Sequence, residues 1–138
     1  MQEYVLGFMF DSRKDRVLLI EKQKPTWQRG KYNEIGGKVE EGETPLEAMV
    51  REFTEEVGYA TAPSQWSHFA SMKGHVGWRV ECFMSYGQID TAQQMESEVP
   101  GIFPTSRIPY RAISNLHWLI PMALDEDNFI ANIQYPEI

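Results

Sequence analysis

The amino-acid sequence predicts a mixed α/β fold arranged in layers, and three observations support this fold class. Apolar runs rich in β-branched and aromatic residues recur along the chain, and two further segments show helical periodicity. Strands interleaved with helices form layered structures. The 138 residues are 42% hydrophobic, which suffices for one domain with a buried core. We therefore expect a single domain that spans residues 1–138.

The apolar runs predict the strands. Residues 4–10 and 17–20 are separated by a polar turn and are typical of a hairpin or of two neighbouring strands. Residues 66–72 and 76–84 form a second such pair. In the later strand Cys82 shares a face with other apolar residues, so we expect a buried, inert thiol. Residues 91–106 contain Pro and Gly among polar residues and predict a long loop.

Two helices complete the predicted fold. The first is expected over residues 44–57, because Thr44 can cap its start and Glu47 completes a capping box. Gly58 follows at the position where helices commonly end in a left-handed turn. Apolar residues at helical spacing give this helix a core-facing stripe of Leu46, Val50, Phe53 and Val57. A second, shorter helix is expected over residues 115–124.

Charge and composition argue against several functions. With 20 acidic and 13 basic residues the formal charge is −7, and binding to a nucleic-acid polymer needs clustered Lys and Arg. The apolar run at residues 4–10 is far shorter than the roughly 20 residues of a membrane helix. Residues 1–3 carry no basic start of a signal peptide, so we expect no signal peptide, and no membrane partner is expected either. The single cysteine excludes an internal disulfide and is typical of a reducing compartment, so we expect a cytoplasmic protein.

The acidic residues are concentrated in residues 40–56, which hold seven of the 20. Among them, Glu52, Glu55 and Glu56 are three and four residues apart and share one face of the predicted helix. Like charges on one face repel each other unless a cation binds, and carboxylates are ligands that Mg²⁺ or Mn²⁺ prefers. The spacing alone leaves two interpretations open, a metal site and a solvated acidic face.

The segment that begins with two glycines, Gly36 and Gly37, carries a motif. Gly37 is followed after five residues by Glu43, and after seven more by residues 51–59, which read REFTEEVGY. This arrangement resembles the complete signature of the Nudix hydrolases, and the strand pattern on either side is compatible with that family. The resemblance implies a mixed β-sheet sandwiched between α-helices. It also implies hydrolysis of a nucleoside diphosphate that is linked to another group.

The resemblance assigns a metal site to the signature. The implied ligands of Mg²⁺ or Mn²⁺ are the carboxylates of Glu52, Glu55 and Glu56 and the main-chain carbonyl of Gly37. Water activated by the metal would attack phosphorus, and the general base varies within the family. Glu55 is the first candidate for that base, and Glu98 or Glu96 in a later segment is the alternative.

Three further residues of the signature, Glu43, Arg51 and Gly58, are expected to have structural roles. Arg51 follows Glu47 by four residues and Glu43 by eight, so we expect it to pair with one of these glutamates. Such a pair would brace the loop that precedes the helix against the helix itself.

Residues 31–44 are most similar to the branch of the family that removes oxidised purine nucleoside triphosphates, the MutT-like branch. There an Asn at the position of Asn33 hydrogen-bonds the base, since an amide is both donor and acceptor, and an aromatic residue stands at Tyr32. Lys38 belongs to the same expected substrate-binding set, and Trp118 and Trp27 are candidates to stack on the base. The sequence departs from this pattern at residues 112–115, which carry no acid where the vertebrate enzyme has two Asp residues.

The leading functional prediction is a Mg²⁺-dependent nucleotide pyrophosphohydrolase. Its substrate would be 8-oxo-dGTP or another (d)NTP, its products the monophosphate and pyrophosphate, and its role the sanitation of the nucleotide pool. The alternative substrates are ADP-ribose, a nucleotide sugar and a dinucleoside polyphosphate. The alternative function is a non-catalytic nucleotide sensor. Many relatives dimerise, so a homodimer is one assembly that the resemblance allows.

Overall fold

The residues described by the computed structural model, 1–127 and 129–137, form a mixed sheet of eight strands and two α-helices. The strands are β1 (Gln2–Phe10), β2 (Arg16–Glu21), β3 (Tyr32–Asn33), β4 (Ile35–Lys38), β5 (Ser67–Lys73), β6 (Trp78–Tyr86), β7 (Val99–Pro104) and β8 (Ala131–Gln134). The order across the sheet is β3-β2-β1-β6-β5-β8, while β4 pairs with β1 and β7 pairs with β2. The helices are α1 (Pro45–Val57) and α2 (Leu116–Leu124).

Strand β1 is central and is buried on both faces. Its residues Phe8 and Phe10 belong to the core cluster that contains the buried residues of α2, whereas Val5 and Met9 belong to the cluster of α1. Because successive side chains of a strand point to opposite faces, the two helices cover opposite sides of the sheet. The predicted α/β/α sandwich is therefore confirmed, and the apolar run of residues 4–10 is a strand that faces two cores.

Helix α1 begins and ends as predicted. The Glu47 amide donates to the Thr44 hydroxyl at 3.1 Å, and the Thr44 amide donates to the Glu47 carboxylate at 2.8 Å. Gly58 takes a left-handed conformation with φ of 68°. The predicted stripe, in which Met49 accompanies Val50, packs against the core, with Leu46 and Val50 only partly buried, and Glu56 is an additional buried residue. The apolar pattern missed Glu56 because a carboxylate at a buried position needs a local partner that hydropathy does not reveal.

Two other elements differ from the sequence prediction. The predicted loop over residues 91–106 is wrong, since it contains β7, which pairs along its whole length with β2. Proline is tolerated there because β7 is bonded to β2 on one side only among the described residues, and an edge strand leaves some amides unpaired. Strand β8, parallel to β5 at the other end of the sheet, was not predicted.

Three further sequence predictions concern the start of helix α2, the burial of Cys82 and membrane-spanning helices. Helix α2 begins at Leu116, one residue later than predicted. Cys82 is buried as expected, and burial raises the pKa of its thiol. Among the described residues no helix is long and apolar enough to cross a membrane.

Candidate active site

The loop between β4 and α1 places the signature glycines against the helix. Strand β4 pairs antiparallel with β1, so that Gly36 lies opposite Leu6 and Gly37 opposite Val5. A Cβ atom on Gly36 would lie 2.0 Å from the Val5 carbonyl oxygen, and one on Gly37 would lie 2.5 Å from Cδ of Glu52. Gly36 therefore requires glycine, because a Cβ atom there would meet the backbone of β1, whereas a Cβ atom on Gly37 would displace the Glu52 carboxylate.

Replacing Gly37 with Ala is expected to displace Glu52 and to weaken metal binding about tenfold or more. The added methyl group would occupy the space of the Glu52 carboxylate. Gly42→Ala is the matched control: nothing lies within 4 Å of its Cβ, although its φ of 81° makes the substitution costly, about 1 kcal/mol of stability. Titration with Mn²⁺ followed by electron paramagnetic resonance measures both variants. Equal affinities in the two variants would contradict the predicted role of Gly37.

The three signature carboxylates differ in burial. Glu56 is 7% exposed, and its Oε2 accepts a hydrogen bond of 3.1 Å from the Gly36 amide. Burial, together with the nearby negative charge of Glu52, raises the pKa of Glu56 to about 8. Burial also raises the pKa of Glu52, whose side chain is 16% exposed. Glu55 is half-exposed and faces solvent.

Arg51 binds more of the acidic residues than predicted. Its Nε lies 2.7 Å from Oε2 of Glu43, which confirms one of the two predicted partners, and Nη2 donates to the Lys38 carbonyl at 2.9 Å. Nη1 also donates to Glu52 at 3.0 Å and to Glu55 at 3.2 Å. Hydrogen bonds from Arg51 lower the pKa of Glu43. Pairing of Arg51 with Glu52 and Glu55 was not predicted, and one guanidinium thus reaches two of the three signature carboxylates.

The donor set suits a hard divalent cation. In the described part of the chain no three His, Cys, Asp or Glu side chains lie close enough together to form a ready metal cage, and Arg51 lies between two of the candidate carboxylates. Mg²⁺, however, is commonly bound through one or two carboxylates together with waters and substrate phosphates. The negative charge of Glu52 opposes the ionisation of Glu56, so a cation bound between the two carboxylates would favour the ionised form of Glu56. Their oxygen ligands and their unfavourable charge repulsion make Glu52 and Glu56 suitable ligands for Mg²⁺ or Mn²⁺.

The buried carboxyl of Glu56 predicts a pH dependence of stability in metal-free protein. A pKa of about 8 in the folded state, against 4.5 for the ordinary value, means that folding favours the protonated form. This stabilisation is fully present below pH 4.5 and is lost as the pH rises through 8. Because one pKa unit corresponds to about 1.4 kcal/mol, the loss is expected to reach a few kcal/mol.

Urea unfolding in EDTA between pH 5 and 9 tests this expectation on wild type and Glu56→Gln. Glutamine keeps an acceptor for the Gly36 amide but cannot ionise. The free energy of unfolding of wild type should therefore fall with pH more steeply than that of the variant, and added Mg²⁺ should reduce the difference. Parallel pH profiles would show that Glu56 does not titrate abnormally.

A cleft of about 500 Å³ adjoins the signature glycines. Its lining includes Gly36, Gly37, Trp27 and Asn33, and the two glycines contact Glu56 and Glu52 of α1. Asn33 is buried, and its amide donates to the Gln28 side chain at 3.3 Å. The structure thus brings Gly37, Asn33 and Trp27 together in the lining of one cleft, and their predicted roles toward substrate stay predictions.

Three predicted substrate-binding residues lie outside the lining of this cleft. Tyr32 packs edge-on against Phe103, with ring centroids 4.7 Å apart. Lys38 is exposed, and Trp118 lies on α2 with 38% of its surface exposed. Their expected contact with substrate remains a prediction.

The cleft also contains two buried oxygen atoms that sequence reasoning did not select. Oε2 of Glu34 and Oδ1 of Asn115 have no hydrogen-bond partner among the described residues, and both side chains line the cleft. Burial raises the pKa of Glu34. Unpaired buried acceptors are costly, so they indicate groups that a ligand satisfies. No sequence signal distinguishes them, because one is an isolated acid in the strand region and the other precedes a helix.

The two later candidates for the general base are placed differently. Glu98 is engaged, since its Oε2 accepts a hydrogen bond of 2.6 Å from the Gln23 amide and its Oε1 lies 3.8 Å from Nζ of Lys22. Glu96 lies near enough to the signature for its charge to raise the pKa values of Glu52 and Glu56. Glu98 and Glu55 are thus both engaged in hydrogen bonds, but Glu55 has the more exposed side chain.

Comparison with known proteins identifies the protein family. The sequence matches the family model of the NUDIX domain over residues 2–126, and the chain therefore belongs to the NUDIX domain family. It is a Nudix hydrolase by class, as the glycine-to-glutamate signature predicted.

Solved structures share this fold at low sequence identity. A mutator MutT protein from Bacillus halodurans is 19% identical, with a TM-score of 0.76 over 99% of this chain and 91% of its own. A MutT NUDIX hydrolase from Burkholderia pseudomallei is 21% identical, with a TM-score of 0.67 over 88% of this chain and 98% of its own. A MutT/nudix family protein from Enterococcus faecalis is 16% identical, with a TM-score of 0.64 over 75% of this chain, which spans 43% of that protein. At these identities the similarity establishes the fold.

Proposed function

We propose that the protein is a Mg²⁺-dependent pyrophosphohydrolase of purine nucleoside triphosphates, with a guanine-type or 8-oxoguanine base. The observation that carries this proposal is the position of the cleft. Its polar wall begins at Asn33 and Glu34 and continues to Gly36 and Gly37, against which Glu52 and Glu56 lie. A base held at one end of the cleft would direct its phosphates to the carboxylates at the other.

The polar groups of the cleft support a base that donates hydrogen bonds. The unpaired oxygens of Glu34 and Asn115 are acceptors, and a guanine edge offers the N1–H and N2–H groups that would satisfy them. An 8-oxoguanine base offers a further donor at N7. Apolar residues such as Trp27 and Ile113 complete the lining and would contact the faces of the base.

The residues of the chain suggest a division of roles in hydrolysis. Bound Mg²⁺ would neutralise the pyrophosphate and activate a water molecule. Arg51 holds Glu52 and Glu55 in place, and half-exposed Glu55 can accept the proton of the attacking water. The water oxygen joins phosphorus as a P–O–P bond breaks, which yields the nucleoside monophosphate and pyrophosphate. Lys22 lies near enough to the site for its charge to lower the pKa of Glu56 and can meet a phosphate oxygen.

A substrate panel tests the proposal. Canonical and oxidised (d)NTPs, ADP-ribose, a nucleotide sugar and a dinucleoside polyphosphate would each be incubated with Mg²⁺, and the products separated by chromatography. We expect release of pyrophosphate from guanine-type triphosphates, with 8-oxo-dGTP ahead of dATP. If only ADP-ribose or a nucleotide sugar is cleaved, the substrate is not a nucleoside triphosphate and the proposal is wrong. Binding of nucleotides without turnover would indicate a nucleotide sensor.

A further inference from the structure

Gln28 contacts a residue that is expected to bind the base. It ends the short 3₁₀ helix Thr26–Gln28 and lines the cleft together with Asn33. Oε1 of Gln28 accepts a hydrogen bond of 3.3 Å from Nδ2 of Asn33. Sequence reasoning gave no role to Gln28, because a polar residue in a loop is ordinarily solvated.

This hydrogen bond determines which end of the Asn33 amide is available to a ligand. A side-chain amide has an oxygen that accepts and a nitrogen that donates, and half a turn of the group exchanges the two without changing its shape. Because Nδ2 points to Gln28, Oδ1 points away from it, and within the described residues the Asn33 side chain makes no other hydrogen bond. Asn33 is buried and lines the cleft, so it presents an acceptor to a base bound there.

The Asn33 oxygen joins two other oxygens of the cleft. Oε2 of Glu34 and Oδ1 of Asn115 have no hydrogen-bond partner among the described residues. Enzymes that hold a single base in a pocket commonly read its Watson–Crick edge. On that edge guanine has two adjacent donors, N1–H and the N2 amino group, whereas adenine has an acceptor at N1. A set of oxygens therefore favours guanine, and the orientation of Asn33 decides whether the set is complete.

The loop that carries Gln28 is held by its own backbone. At the base of the loop the Gly30 amide donates to the Lys22 carbonyl, and the Lys22 amide donates to the Lys31 carbonyl, both at 2.9 Å. Nearer the tip, the Gln28 amide donates to the Pro25 carbonyl, and the Gln28 carbonyl accepts from the Lys31 amide, again at 2.9 Å. A side chain on a backbone bonded at these points can fix the rotamer of its neighbour.

We propose that Gln28 is a positioning residue that determines base specificity. It orients the Asn33 amide so that Oδ1 faces the base, which favours guanine-type over adenine-type triphosphates. This inference rests on the proposed function, which places the base beside Asn33. Gln28 acts through Asn33, so replacing it should change the choice between bases.

Substitutions of opposite hydrogen-bonding character at position 28 test the inference. Gln28→Glu can only accept when ionised and keeps Nδ2 of Asn33 turned toward it, whereas Gln28→Lys can only donate and should turn Oδ1 toward itself. The ratio of kcat/KM for dGTP to that for dATP is the measurement, because a new charge acts alike on two triphosphates and cancels in the ratio. The ratio should stay near the wild-type value in Gln28→Glu and fall about tenfold or more in Gln28→Lys, since one mismatched base contact has an effect of that order.

Gln134→Glu and Gln134→Lys are the matched controls. Gln134 is exposed on β8 and does not line the cleft, so the same charge changes there should leave the ratio near the wild-type value. Equal ratios in Gln28→Glu and Gln28→Lys would overturn the inference, whether both are unchanged or both are lowered. A common fall would show that packing at position 28, and not the direction of the hydrogen bond, controls the choice of base.

A double variant tests whether Gln28 acts through Asn33. Asn33→Leu replaces the amide with an apolar side chain of similar size, so in this background Gln28→Lys should no longer change the ratio. A ratio that still falls about tenfold would mean that residue 28 contacts the base directly, and it would overturn the positioning role.

Failure of the proposed function has a different signature. If neither dGTP nor dATP is hydrolysed in Mg²⁺, the proposed function is wrong, and the dissociation constants of the two nucleotides then test Gln28. Quenching of tryptophan fluorescence measures them, because Trp27 lines the cleft. The preference for dGTP in binding should be kept in Gln28→Glu and lost in Gln28→Lys, and an equal preference in the two variants rejects the role of Gln28.

Discussion

Replacing Glu55 with Gln is expected to lower kcat for a guanine-type triphosphate by about a thousandfold. The side chain is half-exposed beside two more buried carboxylates, so it is the member of the set with the best access to solvent water. Loss of a positioned general base commonly reduces the rate by 10²–10⁴. Glutamine keeps the size and an acceptor for Arg51, so the fold should be unchanged.

Glu41→Gln is the matched control, because Glu41 is an exposed glutamate of the loop before α1 and loses the same charge. Its kcat should stay within twofold of wild type. Steady-state rates of pyrophosphate release measure both variants. A Glu55→Gln variant that retains a tenth of the wild-type rate, together with inactive Glu96→Gln, would reassign the base to Glu96.

Replacing Arg51 with Ala is expected to lower the free energy of unfolding by about 2–3 kcal/mol and to weaken metal binding. Its guanidinium bonds Glu43, Glu52 and the Lys38 carbonyl, and its side chain is only 23% exposed. Hydrogen bonds to charged groups contribute about 1.5–3 kcal/mol each when lost from a poorly solvated site, and the partial exposure here reduces the sum. Arg51→Lys keeps the charge but not the planar, forked guanidinium. Its free energy of unfolding should therefore lie between those of wild type and Arg51→Ala.

A double-mutant cycle separates the two roles of Arg51. If Arg51 braces the loop through Glu43, then Arg51→Ala and Glu43→Gln should show a coupling of at least 1 kcal/mol in urea unfolding. Metal affinity should fall in both single variants, because Glu52 and Glu55 lose a fixed neighbour when the loop shifts. Additive stability changes would mean that Arg51 acts on the carboxylates alone.

The parts of the site that were predictable from sequence are those fixed by local geometry. Spacing along one helix determines that Glu52, Glu55 and Glu56 share a face, and the capping residues determine where α1 begins. The reach of Arg51 to two of these carboxylates was not predicted, because a long side chain can cross the angle that separates neighbouring positions on a helix.

Features that depend on distant parts of the chain were not predictable. Strand β7 contains two prolines and a glycine, and it forms because β2 offers a free edge. Glu34 and Asn115 line the same cleft although they are 81 positions apart in the sequence. Their unpaired oxygens are visible only after the chain has folded, because a single sequence does not record which polar atoms lack a partner.

The parallel pairing of β1 with β6 has a consequence for how the protein can form. Gln2 lies beside Trp78 and Phe10 beside Tyr86, so every pair in this ladder joins residues 76 positions apart. Contacts of such long range slow folding, because a large loop must close before they form. Strand β4, which carries the signature glycines, is bonded to β1. The 23 residues from Gly37 to Tyr59 are therefore not expected to bind metal as an isolated peptide. Without β1, helix α1 would lose the strand that positions Gly36 and Gly37 beside its glutamates.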